Sequence, residues 1–215
     1  MLTIYTTPES LYCAKLRVLL RHKNLHWQEV EPQGGCGSTQ YRDLIPSGTM
    51  PAMVDGDLVI ADSEAIAEYL NETVVEPPML PLDPAARARC RERSRFHDTR
   101  LEPELRKLFA QIAPASRNPD VVAIQGQTIG LRLQELSRLL KADTHLDPQF
   151  LSLGDCGLPI SFAWIDAFTP VLALELAWPD NLRGYRMAIE AQPAVATELR
   201  EYAPGLKRWM ESKGV

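Results

Sequence analysis

Four prolines fall within the nine residues from Glu76 to Pro84, and neither a helix nor a strand continues through such a run. The patterning differs on its two sides. Upstream, short alternating runs and helical runs take turns; downstream, nothing reads as a convincing strand. The chain therefore divides into an α/β unit over residues 1–76, a proline-rich linker over 77–84 and an all-helical unit over 85–215. A length of 215 residues suits two small units.

In the first unit, Leu2 to Thr6 reads as a strand ended by Thr7-Pro8. Leu11 to Lys23 follows with helical spacing: Leu16, Leu19 and Leu20 face inward, Lys15, Arg17, Arg21 and Lys23 outward. Trp27 to Glu31 alternates as a second strand. A glycine-rich loop over Gln33 to Ser38 leads into a short helix, Thr39 to Leu44. Asp55-Gly56-Asp57 between Ala52–Val54 and Leu58–Ile60 is a hairpin signal, and Asp62-Ser63 caps a helix with Ile66, Ala67 and Leu70 on one face. The order β-α-β-α-β-β-α predicts a thioredoxin-like domain, with helices on both faces of a small mixed sheet.

The second unit predicts one long helix from Ala85 to about Ala113, with a possible bend at Pro103. Val121 to Ala142 follows, with Ile124, Ile129, Leu133, Leu136 and Leu140 as its buried stripe. Helices over Leu158 to Trp178, Arg183 to Gln192 and Ala194 to Ser212 complete a bundle.

Two motifs carry a family resemblance. Gly48-Thr49-Met50-Pro51-Ala52-Met53, the hairpin, and Asp62-Ser63-Glu64-Ala65-Ile66-Ala67-Glu68-Tyr69-Leu70 resemble the glutathione-binding half of glutathione transferases. In that family the pattern is Gly-x-Val-Pro-x-Leu, a hairpin, then Glu/Gln-Ser-x-Ala-Ile-x-x-Tyr-Leu. In the helical unit, Ser152-Leu153-Gly154-Asp155 matches the family's Ser/Thr-x-x-Asp capping box, with glycine where alanine is usual. The resemblance spans nearly the whole chain. It implies glutathione transferase architecture: a thioredoxin-like N-terminal domain followed by an all-helical domain that supplies an electrophile pocket.

The family's working group sits at the start of the first helix, where a donated hydrogen bond stabilises a thiolate. In the serine type, the serine stands seven positions before an arginine. Counting back from Arg17 gives Ser10, and Lys15 to Leu20 matches the helix without a gap. The tyrosine type would require Tyr at Thr6; Tyr5 is one position away and turns to the other face of the strand. Ser10 is thus the expected catalytic residue, although its position equally suits a plain N-cap. Cys13, in the first helical turn, is the rival and would favour mixed-disulfide chemistry if it faced the cofactor; the other reading is a buried structural thiol. Cys36, in the glycine-rich loop, reads as an exposed spectator.

For the tripeptide, the resemblance assigns Thr49, Met50, Pro51, Asp62 and Ser63. The main chain of Met50 at its proline corner would pair with the cysteinyl part. Ser63, at a helix start, would take the γ-glutamyl carboxylate, and Asp62 would face its ammonium. Gln40 or Arg42 could meet the glycyl carboxylate. On the electrophile side, Phe96, His97, Arg100, Leu101 and Glu104 fall on plausible turns of the long helix, but a His or Arg there is more often a solvated or interface group than a ligand, and none of the five is assigned to the site. Glutathione is the implied cofactor, a small electrophile the substrate, and a homodimer the implied assembly.

A net charge of −5 argues against nucleic-acid or anionic-membrane surfaces. No apolar run approaches the ~20 residues of a membrane span, and no N-terminal leader is expected. Four scattered cysteines without a Cys-x-x-Cys pair fit free thiols in the cytoplasm. The histidines show no metal-ligand spacing. Two alternatives to the transferase stay open: a glutathione-dependent thiol–disulfide reductase using Cys13, and a non-catalytic interaction protein of the same fold.

Overall fold

The structure, a computed structural model, describes residues 1–147 and 149–215. Four short strands form one mixed sheet: β1 (Leu2–Tyr5), β2 (Trp27–Val30), β3 (Ala52–Asp55) and β4 (Leu58–Ala61), in the order β2-β1-β3-β4. β1 and β2 run parallel; β3 is antiparallel to both β1 and β4. α1 (Leu11–His22) makes the parallel crossover, and α3 (Ser63–Thr73) packs beside it. Their apolar stripes, Leu16, Leu19 and Leu20 with Ile66 and Leu70, bury Ile4 and Met53, which are register partners on β1 and β3. α2 (Thr39–Leu44) covers the opposite face through Tyr41, packed near Ile45 and Ala52. Gly56, at φ +60°, gives the Asp55–Leu58 hairpin its tight turn. The sheet and its helices are thus the thioredoxin-like arrangement expected from the sequence.

The proline-rich stretch is irregular but not loose. Met79 and Leu80 are buried. Lys23 Nζ donates to the carbonyls of Val74 (2.7 Å) and Pro77 (2.8 Å), and the Met79 N–H donates to Asn71 Oδ1 (3.0 Å). The Met50–Pro51 and Glu76–Pro77 peptides are cis.

The rest is helical: α4 (Pro84–Phe96), α5 (Glu102–Lys107), α6 (Pro119–Ala142), α7 (Leu158–Leu172), α8 (Asp180–Glu190) and α9 (Pro193–Ser212). The long helix expected over 85–113 is not continuous. His97–Leu101 forms one turn of π-helix, with the Glu102 N–H donating to the His97 carbonyl, before α5 begins. Pro103 lies in the first turn of α5, where its missing N–H is tolerated, and the wide turn takes up the change of phase. α6 buries Val122, Ile129, Leu133, Leu136 and Leu140, whereas Ile124 is 58% exposed and leaves the expected stripe. α7 stops at Leu172, not Trp178, because Ala173 adopts a left-handed conformation (φ 51°, ψ 45°). The aromatic side chains of Phe109, Trp164, Phe168 and Trp209 pack together, with centroids between 4.6 and 6.1 Å apart.

The Asp155 carboxylate reaches back to the N–H (2.9 Å) and hydroxyl (2.6 Å) of Ser152, as the capping box requires. Here the box sits on a 3-10 turn, Leu153–Asp155, just ahead of α7. Gly154 has a local reason. A Cβ at that position would lie 2.5 Å from the Cys90 carbonyl oxygen on α4, so the close approach of the two segments excludes alanine.

Candidate active site

The α/β half and the helical half enclose a cleft of about 720 Å³. On the α/β side its wall includes Ser10, Thr49, Met50, Pro51, Asp62 and Ser63, so all six residues singled out in the sequence meet at one place.

Each of them is positioned by local backbone chemistry. Asp62 is the N-cap of α3: its Oδ1 accepts from the N–H groups of Glu64 (2.9 Å) and Ala65 (3.1 Å). It does so at φ +88°, a conformation that L-residues seldom adopt and that recurs at functional sites. Ser63, the first residue of the helix, is 6% exposed, yet among the described residues no hydrogen bond engages its hydroxyl. Its N–H belongs to the first helical turn and has no intrahelical acceptor. The N–H and C=O of Met50 likewise carry no intramolecular partner among the described residues, because β3 begins only at Ala52. Thr49 is held at the rim; its carbonyl accepts from Tyr41 Oη (2.9 Å) and its hydroxyl meets Ser47 Oγ (2.8 Å).

Ser10 is the N-cap of α1, and its Oγ accepts from the Cys13 N–H at 3.3 Å. The hydroxyl proton is left free to donate. Two other hydroxyls line the cleft, those of Thr7 and Tyr12. Tyr12 donates to Glu102 Oε2 (3.0 Å), and burial with the nearby Glu102 and Asp98 carboxylates pushes its phenol far up. It is not a source of anion stabilisation. Tyr5 packs on Tyr41, with centroids 5.5 Å apart, away from the cleft.

Of the two thiols, Cys13 lies as a buried structural thiol would, and Cys36 departs from the expectation. Cys13 is 1% exposed and does not line the cleft. Cys36 does line it, with Sγ 3.2 Å from the Gly48 carbonyl, so it is more than a spectator on a remote loop. Arg42 donates through Nε to the Gly37 carbonyl and through Nη1 to those of Pro46 and Ser47, and neither it nor Gln40 lines the cleft.

On the helical side the wall includes Arg95, Asp98, Arg106, Phe109 and Trp209. None of the five positions named on the long helix, and left unassigned, is among them. Phe96, His97 and Leu101 are buried, Arg100 lines a different groove, and Glu104 pairs with Lys107. Asp98, in the π-turn, lines the cleft instead. Behind it, buried Lys15 bridges Asp98 (2.8 Å) and Glu64 (2.7 Å) and so ties α1, α3 and the π-turn into one unit. Burial opposes ionisation of Asp98, but the His97 hydrogen bond and the Lys15 charge outweigh it and hold the carboxyl at about 2. Among the described residues no group of three or more His, Cys, Asp or Glu side chains is placed to hold a metal ion. No helix there is long and apolar enough to cross a membrane.

Residues 9–73 match the glutathione S-transferase N-terminal domain family. Over 99% of its length, the chain aligns with the whole of a delta-class glutathione transferase from Nilaparvata lugens, at a TM-score of 0.82 and 19% identity. The α/β half thus matches the glutathione S-transferase N-terminal domain, and the whole chain has the fold of the glutathione transferase structures. Among its relatives, glutathione S-transferase Z1 of Arabidopsis thaliana is 38% identical over 90 residues, 40% of each chain. A stringent starvation protein A homologue of Coxiella burnetii is 34% identical over 107 residues, 47% of this chain and 51% of its own length. These matches span about half or less of the curated relatives. In this glutathione transferase-like chain, sequence reasoning missed Thr7, Tyr12, Cys36, Arg95, Asp98, Arg106, Phe109 and Trp209. The wall residues on the helical side carry no fixed spacing, and their phase depends on a π-turn that periodicity does not show.

Proposed function

We propose that the chain is a glutathione transferase of the serine type, acting in the cytoplasm as a homodimer on a small electrophile. The observation that carries this reading is the meeting, in one cleft, of an unpartnered main-chain edge at Met50, an unpartnered helix start at Ser63 and the hydroxyl of Ser10. A tripeptide with a carboxylate at one end and a thiol in the middle satisfies all three.

The N–H and C=O of Met50 hold the cysteinyl unit by antiparallel main-chain pairing. The N–H and hydroxyl of Ser63 receive the γ-glutamyl carboxylate, aided by the helix start. Asp62 uses one carboxylate oxygen as the cap and leaves the other to face the ammonium. Ser10 donates a hydrogen bond to the sulfur, which favours the thiolate and hence the nucleophile at neutral pH. Attack on the electrophile follows, by substitution, by Michael addition, or by addition and release in an isomerisation. Holding the tripeptide at points remote from the sulfur orients the thiolate for attack.

The burial of Cys13 and its absence from the cleft give no support to the reductase alternative. Calorimetric titration with glutathione tests the binding part directly. Saturable binding in the millimolar range or tighter is expected. Ser63→Ala should weaken it by about tenfold or more, since a hydrogen bond to a charged group contributes about 1.5–3 kcal/mol. No heat of binding to the wild-type chain would overturn the assignment and leave the interaction-protein reading standing.

A further inference from the structure

The helical wall of the cleft has a chemistry of its own. Arg106 projects from α5 with its guanidinium 5.8 Å from the Tyr12 ring centroid and 5.4 Å from that of Phe109. Its Nη2 pairs with Glu102 Oε1, and Glu102 in turn accepts from Tyr12 Oη at 3.0 Å. These contacts pin the side chain against two aromatic faces. Its Nε and Nη1 groups have no partner among the described residues, and half of the side chain stays open to the cleft. Phe109 is itself backed by Trp209, at 5.0 Å, which also lines the cleft. Tyr12 lies two residues from Ser10, so this cation and aromatic surface adjoin the place where the sulfur would react.

A guanidinium held in place with its Nη1 donors unpaired offers a carboxylate a charge-assisted hydrogen bond. Its neighbouring ring faces suit a flat, conjugated body. Glu9, Asp62 and Asp98 also line the cleft, so it is not a general attractor of anions; of its two guanidinium groups, Arg95 lies 3.6 Å from Asp98, and Arg106 is the one stacked on the aromatic faces.

We infer that the electrophile is a planar, conjugated molecule bearing a carboxylate, and that Arg106 is the residue that selects it. This inference rests on the reading of the cleft as a site of glutathione-dependent chemistry.

Two matched probes test it: 4-chloro-3-nitrobenzoate and 4-chloro-3-nitrobenzamide share ring, leaving group and size and differ in charge. For each, kcat/KM is divided by the rate of its uncatalysed reaction with glutathione. The wild-type chain is expected to favour the benzoate by about tenfold or more, and Arg106→Gln to abolish the preference, with Arg106→Lys retaining part of it. Raised salt should weaken the preference. A wild-type ratio of one or below, or a ratio unmoved in Arg106→Gln, would overturn the inference. Equilibrium dialysis of both probes against the wild-type chain gives the same comparison without any turnover. Tighter binding of the benzoate alongside no conjugation would preserve the Arg106 site and count against the transferase reading. Equal binding of the two probes would sink the site itself.

Discussion

Replacing Asp155 by alanine is expected to destabilise the chain by about 3–5 kcal/mol, the cost of breaking a buried ion pair by removing one partner. The carboxylate is the centre of a network that water does not reach. Its Oδ1 accepts from Arg93 Nε (2.9 Å) and from Tyr185 Oη, and its Oδ2 accepts from the N–H and hydroxyl of Ser152. All four residues are buried. Without the carboxylate, Arg93 keeps only Asp143 (2.9 Å) to balance its charge, and the donors of Tyr185 and Ser152 lose their acceptor. Because Arg93 belongs to α4 and Tyr185 to α8, the loss spreads across the helical half. Urea unfolding followed by circular dichroism measures it. A change below about 1 kcal/mol would show that the network is not what fixes the turn before α7.

A second large effect is expected at Lys15. Lys15→Met leaves Glu64 and Asp98 facing one another without the ammonium that lies 2.7 and 2.8 Å from them, again at a cost of about 3–5 kcal/mol at neutral pH. The pH dependence distinguishes this cause from simple misfit. In the wild-type chain the Asp98 carboxyl sits at about 2, below its ordinary value of 3.8. Its stabilising contribution, roughly 2 kcal/mol, is therefore present above pH ~4 and is lost as the pH falls toward 2. In Lys15→Met the same carboxyl keeps its His97 hydrogen bond but loses the Lys15 charge, so it is expected to rise and the variant to lose less on protonation. The gap between the two chains should narrow as the pH falls from about 4 toward 2. A gap independent of pH would contradict an electrostatic role for Lys15.

Much of this architecture is legible in the sequence for identifiable reasons. Asp55-Gly56-Asp57, the Asp62-Ser63 cap and the Ser152–Asp155 box are local signals, since each pairs a backbone need with a side chain a few residues away. The stripes of α1 and α6 follow from burial on one face, with Ile124 an error of two positions that Val122 corrects. What escaped depends on distant partners. The π-turn at 97–101 reads in the sequence as a plain continuation of the long helix, and it is Asp98 within it, not His97, that lines the cleft. The left-handed Ala173 ends α7 inside an apolar run that reads as more helix. Gly154 resembles a neutral departure until Cys90 of α4 is found against it. On the site itself, the wall built from α1, β3 and α3 was readable because its motifs are contiguous. Arg106, Phe109 and Trp209 come from three separate helical segments, and only the fold brings them together.

The central claim is that Ser10 stabilises a bound thiolate, and the thiol titration of glutathione in the complex tests it most directly. Followed by ultraviolet thiolate absorbance, the bound thiol is expected to titrate about one pKa unit or more below free glutathione in the wild-type chain. In Ser10→Ala it should return toward the free value, with the tripeptide still bound through Met50 and Ser63. The same titration midpoint in both complexes would contradict the account and pass the role to another group of the cleft, with the unpartnered hydroxyl of Thr7 next in line.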